Sequence, residues 1–197
     1  MTRLNNERHL TQDFRVMSAG LVGRNASDAE IYFLQQHYGM PTRLLDWTTN
    51  AIAALYFAVS KKPDLAKDGR VFAMDAYQLC QVQGAPGEYE GIATSRRPLF
   101  KRMLTPIFDW KNELVPGFTL AVRPDHSDVL IRLQRGCFTF HVPGREALTE
   151  YPNVLVSFIV PAARKGPIME ELRVLGIDEF SIYGDLEALA RTLKDAY

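Results

Sequence analysis

Leu10, Phe14 and Met17 recur at helical spacing, so residues 7–17 predict a short amphipathic helix. Ser27-Asp28-Ala29-Glu30 has the capping-box pattern, in which a hydroxyl and a carboxylate satisfy the first free amides of a helix. That helix is expected to run to about Tyr38, with Ile31, Leu34 and Tyr38 inward, until Gly39 stops it and Pro41 prevents a restart. Residues 42–48 read as a strand. Residues 50–60, apolar on nearly every side, predict a closely packed helix capped by Thr48 or Thr49 and ended by Lys61-Lys62-Pro63.

A buried strand is expected over 69–75. Residues 81–125 hold Gly84, Pro86, Gly87, Gly91, Pro98, Pro106, Pro116 and Gly117, which predict irregular structure with a short helix near 99–104. Strands follow at 130–134 and 137–142, interrupted at Gly136, and at 154–160, closed by Pro161. Pro167 is expected to start a helix that Gly176 ends, and residues 180–183 to form a last strand. Asp185 then caps a terminal helix with Leu186, Leu189, Ala190 and Leu193 on one face. The pattern is α+β, a single domain over 1–197 with a mixed sheet flanked by helices.

Composition narrows what such a domain does. The 197 residues carry 23 Lys+Arg and 23 Asp+Glu, which argues against coating nucleic acid or an anionic membrane by bulk charge. With 47% hydrophobic residues, global disorder is excluded. No apolar run reaches the roughly 18 residues of a membrane span, so no membrane partner is expected. Cys80 and Cys137 form neither a disulfide framework nor a metal motif, which points to a reducing, cytoplasmic setting and no metal. One local stretch departs from the neutral average: Arg96, Arg97, Lys101 and Arg102, with Phe100 among them. It reads as a solvated face or as an edge for nucleic acid or another anion.

Hydrogen-bonding side chains concentrate in residues 36–48, at Gln36, His37, Tyr38, Thr42, Arg43, Asp46 and Thr48, with Trp47 among them. On a strand, Asp46 shares the face of Leu44 and Thr48, a covered face where a carboxylate needs partners. Either it caps the next helix or pairs with Arg43 or Arg132, or it fixes a ligand hydroxyl. His37 lies near a helix end that favours an imidazolium, and is structural or functional on the same footing. No nucleophile elbow, catalytic-triad order or phosphate-cradling glycine loop is present, and nuclease action through His37 and Arg43 lacks a second base.

The run from Leu34 to Thr48, Leu-Gln-Gln-His-Tyr-Gly-Met-Pro-Thr-Arg-Leu-Leu-Asp-Trp-Thr, followed by Ala54-Leu55-Tyr56-Phe57-Ala58, resembles the signature of the FRG-domain family. Asp68-Gly69-Arg70-Val71, the block from Arg132 to His141, the run from Ile159 to Lys165 and the stretch from Leu175 to Leu186 resemble later parts of the same family. The Phe-Arg-Gly segment that names the family is not found ahead of the signature; the nearest string, Asp13-Phe14-Arg15-Val16, lies in a helical pattern.

Leu45-Asp46-Trp47-Thr48 and the helix after it are also similar to the second motif of ADP-ribosyltransferases. The resemblance implies an ADP-ribosyltransferase-like split sheet, and NAD as the bound cofactor. It places Gln134, Thr48 and Asp46 at the catalytic positions and Arg43, Trp47, Tyr56, His37, Tyr38 and Phe138 around NAD. Gln134 stands where the superfamily has an acid; an amide there bonds a ribose hydroxyl but supplies no charge, and Gly136 beside it also suits a β-bulge. The implied role is a prokaryotic toxin or antiviral-defence effector with a nucleic-acid or protein acceptor and an antitoxin or regulatory partner. The alternative is a non-catalytic module of the same fold that binds a nucleotide or a protein.

Overall fold

Ser27 accepts the Glu30 amide at 3.3 Å while the Glu30 carboxylate takes the Ser27 amide at 2.7 Å, so the predicted capping box opens α2 (Asp28–His37). The computed structural model describes residues 3–23, 25–60, 64–83, 91–111, 117–124, 129–142, 148–151 and 153–197. The Lys61-Lys62-Pro63 stop and the turn residues Gly84, Pro86, Gly87 and Pro116 lie outside the described residues. Before α2 comes α1 (Arg3–Ser18); after it come β1 (Leu44–Thr48), α3 (Ala51–Ser60), β2 (Gly69–Met74), α4 (Ala76–Val82), β3 (Ala93–Thr94) and α5 (Pro98–Phe108). The chain continues through β4 (Leu120–Arg123), α6 (Val129–Leu133), β5 (Gly136–Phe140), β6 (Leu155–Val160), α7 (Ala162–Val174), α8 (Glu179–Tyr183) and α9 (Leu186–Ala196).

This is a mixed α/β chain, as the pattern predicts. One sheet has the strand order β1-β5-β4-β3, with β3 parallel to β4 and β4 antiparallel to β5; β2 and β6 form a separate antiparallel pair from Gly69↔Val160 to Met74↔Leu155. The chain divides into two compact units, each assembled from three separated stretches. The first comprises Met1–Leu45, Ala76–Asp125 and Phe138–Glu146; the second comprises Asp46–Asp75, His126–Cys137 and Ala147–Tyr197.

The first unit packs α2, α5, β4 and β5 around an aromatic core. Phe33 stacks on Phe138 and Phe100, and Phe100 meets Phe140 edge-on. Helix α1 joins this unit differently from the expected apolar stripe: Met17 is 82% exposed and Leu10 is exposed, while Arg8, Thr11 and Ser18 are buried. Its inner face is held by hydrogen bonds, from Arg8 Nε to the Pro106 carbonyl at 2.7 Å and from the Thr11 hydroxyl to Gln35 Oε1 at 3.2 Å. Tyr38, expected inward, is exposed because α2 has ended at His37. Among the described residues between 81 and 125, α5 is longer than the predicted 99–104 and β4 is a buried strand.

The second unit packs Ala53, Tyr56 and Val59 of α3 against Val160, Leu172 and Ile182. Only one face of α3 is covered, and Ile52 and Phe57 on its other sides are exposed. Three expectations are corrected here. Residues 130–134 fall largely in helix α6, because a short apolar run suits either period. Residues 180–183 lie in helix α8, started by Asp178, which accepts the Ser181 amide at 2.8 Å, and ended by Gly184 at φ 68°. Pro167 lies inside α7; the helix starts earlier, where Asp68 Oδ1 accepts the Ala162 amide at 2.8 Å. The apolar face of α9 also points outward at Leu186, Ala190 and Leu193, while Ala188 is buried.

Candidate functional site

The expected site residues fall in both units. In the second, β1 ends at Thr48, whose hydroxyl donates to the Gln134 carbonyl at 2.6 Å and accepts the Asn50 amide at 2.9 Å. Thr49 N–H donates to the Arg135 carbonyl at 3.1 Å, so the end of β1 and the turn before β5 are joined through backbone atoms. Asn50 Oδ1 accepts the Ile52 amide at 3.0 Å at the first turn of α3. Gln134 is half-buried, and its Nε2 donates to the Ile182 carbonyl at 3.4 Å. Arg135 stands at φ 47°, a left-handed conformation unfavourable to a side chain, where the chain turns into β5 at Gly136.

Trp47 beside Thr48 is half-buried, and Asp46 is exposed. The expected covered face holds at Leu44 but not at Asp46, since the residues packed on Leu44 are those of the first unit's core. Tyr56 lies in the core of the second unit, 5% exposed, on the wall of a cleft of about 600 Å³. Burial, then the charge of Glu179, pushes its phenol up to about 12. Tyr183 is raised by the same two causes.

In the first unit, Arg43 meets a carboxylate that the sequence reading did not anticipate. Its Nε donates to Glu7 at 2.9 Å, Nη2 bonds the same carboxylate, and Tyr32 donates its hydroxyl to Glu7 at 2.8 Å. The Arg43 amide donates back to the Tyr32 oxygen at 2.8 Å, closing the network. Both charged side chains are about nine-tenths buried, and Arg43 Nη1 is buried without a partner. Burial and Glu7 raise the Tyr32 phenol well beyond its ordinary range. His37 meets Tyr38 edge-on with centroids 4.8 Å apart. Phe138 is a core side chain, 5% exposed, stacked on Phe33 at 5.1 Å. His141 bonds the Thr139 hydroxyl at 2.8 Å, and burial lowers its imidazole below the ordinary 6.5.

Of the four expected anion contacts, Arg96 and Lys101 line a cleft of about 630 Å³ with Arg15, buried Ser95 and the first turn of α2. Arg15 pairs with Asp28 at 2.8 Å there. Arg97 and Arg102 are exposed at and beyond the uncapped start of α5. Among the described residues no three His, Cys, Asp or Glu side chains gather to hold a metal ion, and no helix is long and apolar enough to cross a membrane. Cys80 and Cys137 form no disulfide, and both are buried.

The sequence reading assigned no role to Glu7, Tyr32, His141 or Lys165. A signal existed for Lys165: with α7 starting at Ala162, it falls in register with Ile168, Met169 and Leu172 on the helix's inner stripe. Placing the start at Pro167 hid it.

The family model of the FRG domain matches residues 1–67, a stretch that runs from α1 through α3 and contains the Leu34–Thr48 signature. No curated protein and no solved structure matches the chain.

Proposed function

We propose that this FRG-domain chain is an NAD-dependent ADP-ribosyltransferase-like domain, a prokaryotic toxin or antiviral-defence effector acting on a nucleic acid or a protein. The observation that supports this most is the 2.6 Å bond from the Thr48 hydroxyl to the Gln134 carbonyl. It joins the strand end that resembles the superfamily's second motif to the residue at its acid position.

The residues of the second unit fit such a ligand in part. Trp47 offers an aromatic surface beside Thr48, and the Gln134 amide keeps Oε1 to accept from a ribose hydroxyl while Nε2 is held by Ile182. Bound NAD would supply an ADP-ribosyl group to an acceptor oxygen or nitrogen, with nicotinamide as the leaving group and the acceptor's proton passing to solvent. Gln134 orients that ribose without adding a negative charge, so the electrostatic share of catalysis is small. Asp46, exposed on β1, aligns the acceptor. The cationic edge at Arg96, Arg97, Lys101 and Arg102 meets an anionic acceptor weakly and with salt sensitivity.

A second reading, a non-catalytic module that binds a nucleotide or protein partner, is favoured by two observations. Gln134 is an amide, and the guanidinium of Arg43, which the resemblance places beside NAD, is already paired with Glu7. Labelled NAD incubated with the chain, with and without cell RNA, DNA and lysate, separates the two. Transfer or nicotinamide release that Gln134→Ala removes and Gln134→Glu raises supports the enzyme. Protection against melting by NAD without turnover supports the binding module, and the absence of both signals overturns both.

A further inference from the structure

A buried charged side chain of the second unit lies outside the Leu34–Thr48 run. Lys165, in the first turns of α7, is 3% exposed and lines the same cleft of about 600 Å³ as Tyr56. Among the described residues its ammonium makes one hydrogen bond, to the backbone carbonyl of Asp64 at 2.9 Å, and no carboxylate pairs with it. An ammonium carries three donors, so two are left without a protein acceptor. A buried cation in that state is costly unless something else meets it.

None of the carboxylates lining the cleft, Glu170, Asp178, Glu179 and Asp195, pairs with it. Glu179 accepts from Arg191 at 2.6 Å, and Glu170 from Arg173 at 2.8 Å. Asp195 lies 3.7 Å from Arg173, and Asp178 caps α8 through the Ser181 amide. Asp68, at the head of α7, accepts the Ala162 amide. The backbone is built to admit the lysine stem: a Cβ on Gly69 would stand 3.3 Å from Lys165 Cε and 2.5 Å from the Ala58 carbonyl oxygen. Space and a buried ammonium with two unused donors coincide.

We infer that this cleft binds a small molecule carrying an oxyanion, a phosphate or carboxylate, seated on the Lys165 ammonium, with the Tyr56 wall packing against the remainder. The site does not rest on the NAD reading. NAD's pyrophosphate is one source of such a group, and a free phosphate or dicarboxylate is another.

The test is calorimetric titration of the full chain with inorganic pyrophosphate, succinate and NAD in turn, repeated on Lys165→Met and Lys165→Arg. The expected result is binding of at least one probe by the native chain and by Lys165→Arg, weakened tenfold or more in Lys165→Met. Because the methionine removes an unpaired buried cation, Lys165→Met without ligand melts no lower than the native chain. Amide shifts on the native chain guard against misfolded variants: the bound probe moves Ala162, Lys165 and Gly166. Shifts centred on Arg97 and Lys101 instead, equal binding by Lys165→Met, or binding of no probe each overturn the proposal. Binding of NAD alone through Lys165 assigns the source; pyrophosphate or succinate binding while NAD fails leaves this site standing and counts against the NAD reading.

Discussion

Arg43 and Glu7, 36 residues apart, form a two-pronged ion pair in which Nε and Nη2 of the guanidinium share one carboxylate. Tyr32 donates to the same carboxylate, so the pair ties α1 to the residue that leads into β1 within the first unit. Removing one partner of such a buried pair strands the other charge and costs about 3 kcal/mol. Glu7→Ala and Arg43→Met are each expected to lower urea stability by that order. The double variant is expected to lose clearly less than the sum of the singles, since neither charge is then stranded. Additive losses in the urea melts would show that the pair contributes no coupling.

The Thr48 hydroxyl serves two backbone groups at once, the Gln134 carbonyl and the Asn50 amide. Thr48→Val keeps the shape but leaves both groups without that partner, at an expected cost of about 1–3 kcal/mol. Thr48→Ser keeps the oxygen and is expected to stay within about 0.5 kcal/mol of the native chain. Denaturant midpoints of the three proteins check this. Loss of NAD turnover in Thr48→Val therefore counts as chemical only if the serine variant retains turnover.

What could be read from residue order follows the range of the interactions involved. The capping box at Ser27 depends on neighbours within a few positions and formed as expected; β2 and β6 also formed where expected, but they pair with each other far along the chain, and β2 is partly exposed rather than buried. Helix α6 was misassigned because four apolar residues in five carry too little periodicity to separate helix from buried strand, and β4 fell within the stretch whose glycines and prolines read as irregular. Helix α8 carried its own signal, Asp178 three residues before Ser181, outweighed by the aromatic and β-branched side chains after it. In the candidate site, the resemblance named Thr48 and Gln134 but not the bond from the Thr48 hydroxyl to the Gln134 carbonyl. Glu7 with Arg43 and Lys165 with Asp64 were not legible, because their partners lie 36 and 101 residues away.

Backbone geometry in the second unit makes opposite demands at two positions. Arg135 holds φ 47°, so Arg135→Gly is expected to relieve strain and to stabilise by about 0.5–1 kcal/mol. Gly69 has the Ala58 carbonyl oxygen 2.5 Å from where a Cβ would stand, and a backbone atom cannot swing aside. Gly69→Ala is expected to cost about 1–3 kcal/mol by overpacking and to part β2 from α3. Thermal midpoints moving in opposite directions check both. A neutral Gly69→Ala would mean the two elements separate freely.

His141 links the first unit's stability to pH in the physiological range. Burial lowers its pKa below the ordinary 6.5, so the folded imidazole stays neutral where the unfolded one takes up a proton. The unfolded state then binds more protons, and stability falls as pH drops through 6.5 towards the folded value. Above 6.5 both forms are neutral and this contribution is complete. His141→Gln keeps a polar group near Thr139 and cannot titrate. Melting of both proteins from about pH 8 down to about pH 5 checks the sign. The native chain should lose midpoint faster than the glutamine variant below neutrality, and parallel curves would show that His141 is not the group responsible.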